Sequence, residues 1–360
     1  MKRFSGILLA MLLVVSAFPV FAQDDEMSNT IADIVVASAE AEEPEFTTLL
    51  TAVGAADPAV LEALANPEAE LTVFAPTDAA FAALAEALGE EVFGEILADP
   101  VALTEILLYH VVEGTVMSGD VVAALTPDMM MEDDMGDEED MDDEDMMSME
   151  TTANVVTLSD QFITIAGTLT EEDEVDLEAG ITVDGANLVL EMVDIEADNG
   201  VIHVIDAVLV PELNTIAEIV VASTEAEEAE FTTLLTAVTA ADPAVLELLS
   251  DPSAGLTVFA PTDAAFEAVE GLEDIVADTE LLTAILQYHV VADVVYSFDI
   301  PGLLGEDGTV GVEMADGSTA TISVTEEGVF INDAQVVLTD IEASNGTIHV
   351  IDAVIVPPME

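Results

Sequence analysis

The chain has 360 residues and carries 76 Asp+Glu against 2 Lys+Arg, a formal net charge of -74, with 4 His and no Cys. Both basic residues, Lys2 and Arg3, sit at the N-terminus, so nucleic-acid binding through phosphate contacts, polybasic membrane attachment and lysine catalysis are excluded. The missing Cys excludes disulfides and thiolate chemistry, and a 52% hydrophobic composition separates the chain from acidic disordered polymers, which are poor in apolar residues.

Residues 1–22 read as a Sec signal peptide. Lys2 and Arg3 form its positive start, Ile7 to Val15 its apolar core, and Val20-Phe21-Ala22 a small-residue cleavage site. No later stretch approaches the roughly 18 consecutive apolar residues of a membrane span. The mature chain, from Gln23, is expected to be secreted: extracellular, cell-surface or periplasmic.

Next come helical patterns. Ile31, Ile34 and Val35 share one face, and so do Phe46, Leu49, Leu50 and Val53. Asp57-Pro58 starts a further short helix. Leu71 to Ala75 reads as a strand ended by Pro76, and Thr77 or Asp78 then caps a helix that carries Phe81 and Leu84. A helix follows that ends in LTEILLYHVV. After it lies Asp128 to Glu150, with 13 acidic residues, 8 Met, Gly136 and Ser148. That segment has no apolar period and strong self-repulsion, so 128–150 is expected to be a disordered insert.

The chain then repeats itself. Residues 30–81 match 215–266 at an offset of 185, with 43 of 52 positions identical. Tyr109-His110-Val111-Val112 matches Tyr288-His289-Val290-Val291, and NGVIHVIDAVLVP (199–211) matches NGTIHVIDAVIVP (345–357). Two copies of one module follow, 27–211 and 212–357, each too long for a solenoid unit. In copy two the late strands are clearest: Val310–Met314, Ala320–Val324, Val329–Ile331 and Thr347–Val356. Helices gathered first and strands afterwards define an α+β domain.

Three blocks now stand in one order: FAPTDAAF, Tyr-His after a helix, and a closing NG-x-IHVIDAV-x-VP. Their combination resembles the fasciclin-like (beta-Ig-H3/fasciclin) domain, in tandem and of the secreted bacterial type. The resemblance implies two wedge-shaped β-sandwiches with packed helices, no catalysis, no cofactor, and a role in cell adhesion or extracellular-matrix interaction. It also implies binding positions at Tyr109, His110, Asp194 and Ile195 in copy one, and at Tyr288, His289, Asp340 and Ile341 in copy two. The neighbours of both Asp-Ile pairs depart from the Glu-Pro-Asp-Ile-Met pattern of animal members, so the implication is adhesion in general and not integrin recognition.

The residues themselves leave alternatives open. Tyr-His is either a ligand-contacting corner or a buried pair locking helix to sheet. His203 and His349 are core histidines, or partners of His110 and His289 in two-His metal sites. Asp78 and Asp263 suit the capping of orphan backbone N–H groups. There is no G-x-S-x-G, H-E-x-x-H or P-loop pattern. The expected partner is an extracellular or cell-surface protein or polysaccharide, with Ca²⁺ bridging between anions. The alternative function is an exported Ca²⁺- or Cu(I)-binding protein that uses the carboxylates and thioethers of 128–150.

Overall fold

The run LTVFAP occurs twice, and each time it forms a strand with every residue buried. The computed structural model describes residues 29–41, 44–126, 150–169, 175, 180–224, 229–305, 307–325 and 327–358. The expected signal peptide and the insert residues 128–149 lie outside them. Glu150, the expected last residue of the insert, already opens a strand.

Copy one contains helices α1 (Ile31–Ala39), α2 (Thr47–Ala55), α3 (Pro58–Ala65), α4 (Asp78–Leu88), α5 (Glu90–Ala98), α6 (Pro100–Tyr109) and α7 (Ser118–Leu125). Its strands are β1 (Leu71–Pro76), β2 (Val111–Glu113), β3 (Glu150–Val156), β4 (Phe162–Thr168), β5 (Ile181–Val183), β6 (Ala186–Asn187), β7 (Ile195–Ala197) and β8 (Gly200–Ile205). Copy two repeats the order with α8 (Ile216–Thr224), α9 (Thr232–Ala240), α10 (Pro243–Leu249), α11 (Asp263–Glu267), α12 (Leu272–Ala277), α13 (Thr279–Gln287) and α14 (Ile300–Leu303). Its strands are β9 (Leu256–Pro261), β10 (Val290–Val291), β11 (Thr309–Glu313), β12 (Thr319–Thr325), β13 (Gly328–Ile331), β14 (Ala334–Ala343) and β15 (Gly346–Ile351).

In copy two the strands run β10-β9-β15-β14-β13-β12-β11 in one sheet. Copy one divides the same order into β2-β1-β8-β7 and β3-β4-β5-β6, rejoined by bridges at Val112–Thr157 and Leu188–Ile205. In copy two a bridge from Val291 to Met314 ties the first strand back to the far end of the sheet. The sheet is thus folded over into two layers, and Phe259 and Ile351 from one layer share a core with Ala320, Ile322 and Ile331 from the other. The α+β sandwich read from the sequence is the architecture observed.

The two central strands explain the unbroken apolar runs. β1 pairs with β8, and β9 with β15, in parallel. One face of each pair meets the helices: Val73, Ala75, Ile202 and Val204 pack with Ile31, Phe46, Leu49 and Leu107. The other face, with Phe74 and Ile205, fills the sandwich. A strand covered on both sides has no polar face to show. β15 ends at Ile351, short of the expected Thr347–Val356, opposite the last residue of β9, Pro261.

The Asn-Gly pair that opens each closing strand ties sheet to helices. Asn199 Oδ1 accepts the Ile31 N–H at 2.8 Å, while its Nδ2 donates to Leu64 O and Asn66 O. Asn345 does the same with Ile216, Leu249 and Asp251. One amide therefore satisfies the start of one helix and the end of another. The glycine that follows is compulsory. Gly200 sits at φ +146, and a Cβ there would lie 1.9 Å from Leu71 O; Gly346, at φ +142, meets Leu256 O at the same distance.

Candidate functional site

The four histidines are committed to backbone partners. His110 caps α6, with Nδ1 2.7 Å from Ile106 O and Nε2 accepting the Leu209 N–H at 3.0 Å. An accepting Nε2 puts the proton on Nδ1. His289 repeats this with Ile285 O and Ile355 N. Burial pushes the pKa of both rings down to about 4, against the pull of the carbonyl hydrogen bonds. His203 accepts from Asp194 N and donates to Val116 O; His349 accepts from Asp340 N and donates to Val295 O. Burial also lowers the pKa of His349. With both nitrogens of every ring engaged, His110 with His203, and His289 with His349, offer no free ligand atoms for the two-His metal sites. Among the described residues no group of three or more His, Asp or Glu is placed to hold a metal ion.

Tyr109 and Tyr288 lie inside the sandwich, 4% and 2% exposed. The Tyr109 hydroxyl donates to Asp184 Oδ2 at 2.6 Å, close to Phe162 O. Burial first, and the Asp184 carboxylate second, raise its pKa. The Tyr288 hydroxyl reaches Thr319 O and accepts from Asn332 Nδ2. In this conformation the Tyr-His pairs lock helix to sheet.

The Asp-Ile positions form a corner on each copy. Asp194 and Asp340 adopt left-handed backbone, φ 55 and φ 58, which Asp tolerates better than most residues. That turn aims each carboxylate across to a serine. Asp194 Oδ1 accepts the Ser118 N–H at 2.7 Å and Oδ2 the Ser118 hydroxyl; Asp340 does the same with Ser297. Burial pulls the Asp194 pKa up, but the Ser118 hydrogen bonds outweigh it and hold it below the usual value. Ser118 thus faces a carboxylate and not an imidazole, so the Ser, Asp and His of the corner do not form a nucleophile–base pair. Ile195 and Ile341 are half-buried against the helix-side cores.

The two corners differ in surroundings. The Asp194 side chain is 31% exposed and the Asp340 side chain 14%. The second corner lies at a seam between the domains. Around Ser297, Tyr296 and Phe298 stack with ring centroids 5.2 Å apart, and Phe162 of copy one meets both edge-on at 5.1 and 5.4 Å. The Tyr296 hydroxyl donates to Asp160 O at 2.7 Å, and the Phe162 N–H donates to Glu342 Oε1 at 2.8 Å. The linker is pinned as well: Gln161 exchanges two hydrogen bonds with the backbone of Glu212. The short linker between Pro211 and Thr215 favours close packing of the copies, but no shared motif marks the residues that form the seam. Its signal lay in the duplication, because copy one has Met117 and Gly119 where copy two has Tyr296 and Phe298, and copy two has Thr319 where copy one has Phe162.

These are two α+β sandwich domains whose polar residues of interest serve mainly as internal ties. The family model described as Fasciclin domain matches residues 44–211 and 229–357. The chain belongs to the fasciclin-domain family and carries the domain in tandem. It is 42% identical over 127 residues to the uncharacterized protein sll1735 of Synechocystis, an alignment covering 35% of this chain and 88% of that protein. It is 34% identical over 164 residues to human periostin, covering 45% of this chain and 18% of periostin. A solved fasciclin domain pair from the insect cell adhesion molecule fasciclin I aligns over 89% of this chain and 98% of its own, at 20% identity and a TM-score of 0.35. Fasciclin domains occur in cell-adhesion and extracellular-matrix proteins, which supports an adhesion-type role. Among the described residues no helix is long and apolar enough to cross a membrane.

Proposed function

We propose that the chain is an exported, non-catalytic adhesion protein that binds an extracellular or cell-surface protein or polysaccharide through the Asp194–Ile195 corner of copy one. The observation that carries this reading is the inequality of the two corners: the Asp194 side chain is about twice as exposed as that of Asp340, which stands beside the seam. Ser118 fixes the Asp194 carboxylate, so its free edge is presented without conformational freedom to lose on binding. His203 supports the corner from within by accepting the Asp194 N–H, as His349 supports that of Asp340 and Ile341, while Tyr109, His110, Tyr288 and His289 tie helix to sheet elsewhere.

The anionic surface sets the chemistry of the partner. With no Lys or Arg beyond Arg3, contact comes through cationic partners or through Ca²⁺ shared with anionic glycans. The test is retention of the purified chain on an alginate film and on a gelatin film, each with 2 mM CaCl₂ or with EDTA. Calcium-dependent retention on alginate, or calcium-independent retention on gelatin, is the expected result. Absence of retention on both films in both buffers contradicts the reading.

A further inference from the structure

The seam places one carboxylate where charge is least welcome. Glu342, on β14 of copy two, is half-buried and receives the Phe162 N–H of copy one. Its counterpart in copy one, Glu196, occupies the same Asp-Ile-Glu motif and is exposed. The duplication therefore gave one residue two environments, and the second lies against Phe162 of the other domain.

The groups facing Glu342 are anionic or neutral. Asp184 approaches from the turn after β5, Glu212 from the linker, and Asp340 from its own strand. The Tyr109 hydroxyl from α6 and the Tyr296 hydroxyl beside β14 complete the set. The chain has no Lys or Arg beyond Arg3, and no described Lys or Arg stands at the seam to neutralise the cluster. Behind Tyr296 lies Asp160, and across a cleft of about 150 Å³ Asp160 is joined by Glu105 of α6, which faces Pro252–Gly255 and Ser344–Gly346 of copy two. Copy two carries Ala284 where copy one carries Glu105.

We propose that the seam is an acid-tightened clamp: a protonated Glu342 holds the two domains docked, and its ionisation loosens them. The geometry supplies the coupling. The neutral acid keeps an oxygen for the Phe162 N–H and removes one charge from a group of four carboxylates. The ionised form keeps the same hydrogen bond but must stand, partly desolvated, among Asp184, Asp340 and Glu212.

Burial, joined by these neighbours and opposed by the Phe162 hydrogen bond, raises the Glu342 pKa to about 7; burial and Asp160 raise that of Glu105. Undocking removes Asp184 and the Phe162 N–H but leaves Asp340, and moves Glu342 towards the 4.5 of a solvated glutamate. The docked state therefore binds more protons, so docking is strongest below pH 4.5 and weakens as pH rises through 7. Allowing for the part of Glu342 that stays in water, the docking constant falls on the order of ten-fold between pH 5.5 and 8.5.

The test uses the whole chain at fixed ionic strength. Carbon NMR follows the Glu342 carboxyl, and hydrogen exchange, corrected for its intrinsic pH dependence, follows the Phe162 amide at pH 5.5 and 8.5. The expected result is a carboxyl that titrates near neutrality and an amide whose protection drops about ten-fold at the higher pH. Glu342→Gln, which mimics the protonated acid, should keep the amide protected at both values, while Glu196→Gln should behave as the parent. A carboxyl that titrates near 4.5, a parent amide equally protected at both pH values, or a Glu342→Gln chain that loses protection like the parent each overturns the clamp.

Discussion

At the scale of single residues, the motifs that identify the family serve first as ties within the fold. Gly346 is the strictest case. At φ +142 with Leu256 O in the way, Gly346→Ala has no space for its methyl group, and the expected loss exceeds about 4 kcal/mol in copy two. Calorimetry should show it as one unfolding transition removed. His110 and His289 make a second case, through pH. Their pKa values lie near 4 in the fold against 6.5 for a free ring. Between those values the unfolded chain binds more protons, so the contribution of each ring is complete above about pH 6.5 and is lost as pH falls towards 4. Each is worth on the order of 3 kcal/mol. Proton NMR should find both rings silent between pH 5 and 8; a titration near 6.5 would show that they are not the buried ties described. The sequence could mark these histidines as candidates because they recur in both copies. It could not separate a tie from a ligand, since the Leu209 and Ile355 N–H groups that occupy them come from segments far along the chain.

At the scale of elements, local rules carried most of the helices and failed where a side chain reaches elsewhere. Thr77 caps α4 as expected, accepting the Ala80 N–H. Asp78, expected to cap the same junction, instead turns to the start of α2 and accepts from the Thr47 and Thr48 N–H groups and the Thr47 hydroxyl. Burial would raise its pKa, but these hydrogen bonds outweigh it and hold it low. Asp263 binds Thr232 and Thr233 in the same way. Asp78→Ala should therefore destabilise copy one by about 1–2 kcal/mol, as a cap does, although the helix that loses its cap begins 31 residues earlier. Denaturant titration of the variant checks this; a change within a few tenths of a kcal/mol would deny the cap. The strands divide in the same manner. The alternating runs of β11 and β12 are legible alone. β14 is not legible alone, because Val337 and Leu338 are exposed at an irregularity in its pairing and break its period.

At the scale of the whole molecule, charge and duplication govern behaviour. Spread over the 22444 Å² that the chain exposes, its 76 carboxylates stand ~17 Å apart, beyond the ~8 Å screening length of physiological salt but well inside the ~30 Å length at 0.01 M. Thermal midpoints should rise between 10 mM and 1 M NaCl; equal midpoints would show that the repulsion is not felt. The duplication was legible in full, whereas the pairing of the copies was not. Pairing depends on the few positions where the copies differ, Phe162, Tyr296 and Phe298, and an alignment of like with like draws attention away from them. Those differences lie beside the Asp340 corner, the less exposed of the two. Retention on the film that binds the parent chain, measured for Asp194→Asn and Asp340→Asn, tests that asymmetry directly. Asp194→Asn should lose most of the retention and Asp340→Asn should keep it. Equal loss from both variants, or loss from Asp340→Asn alone, would contradict the account.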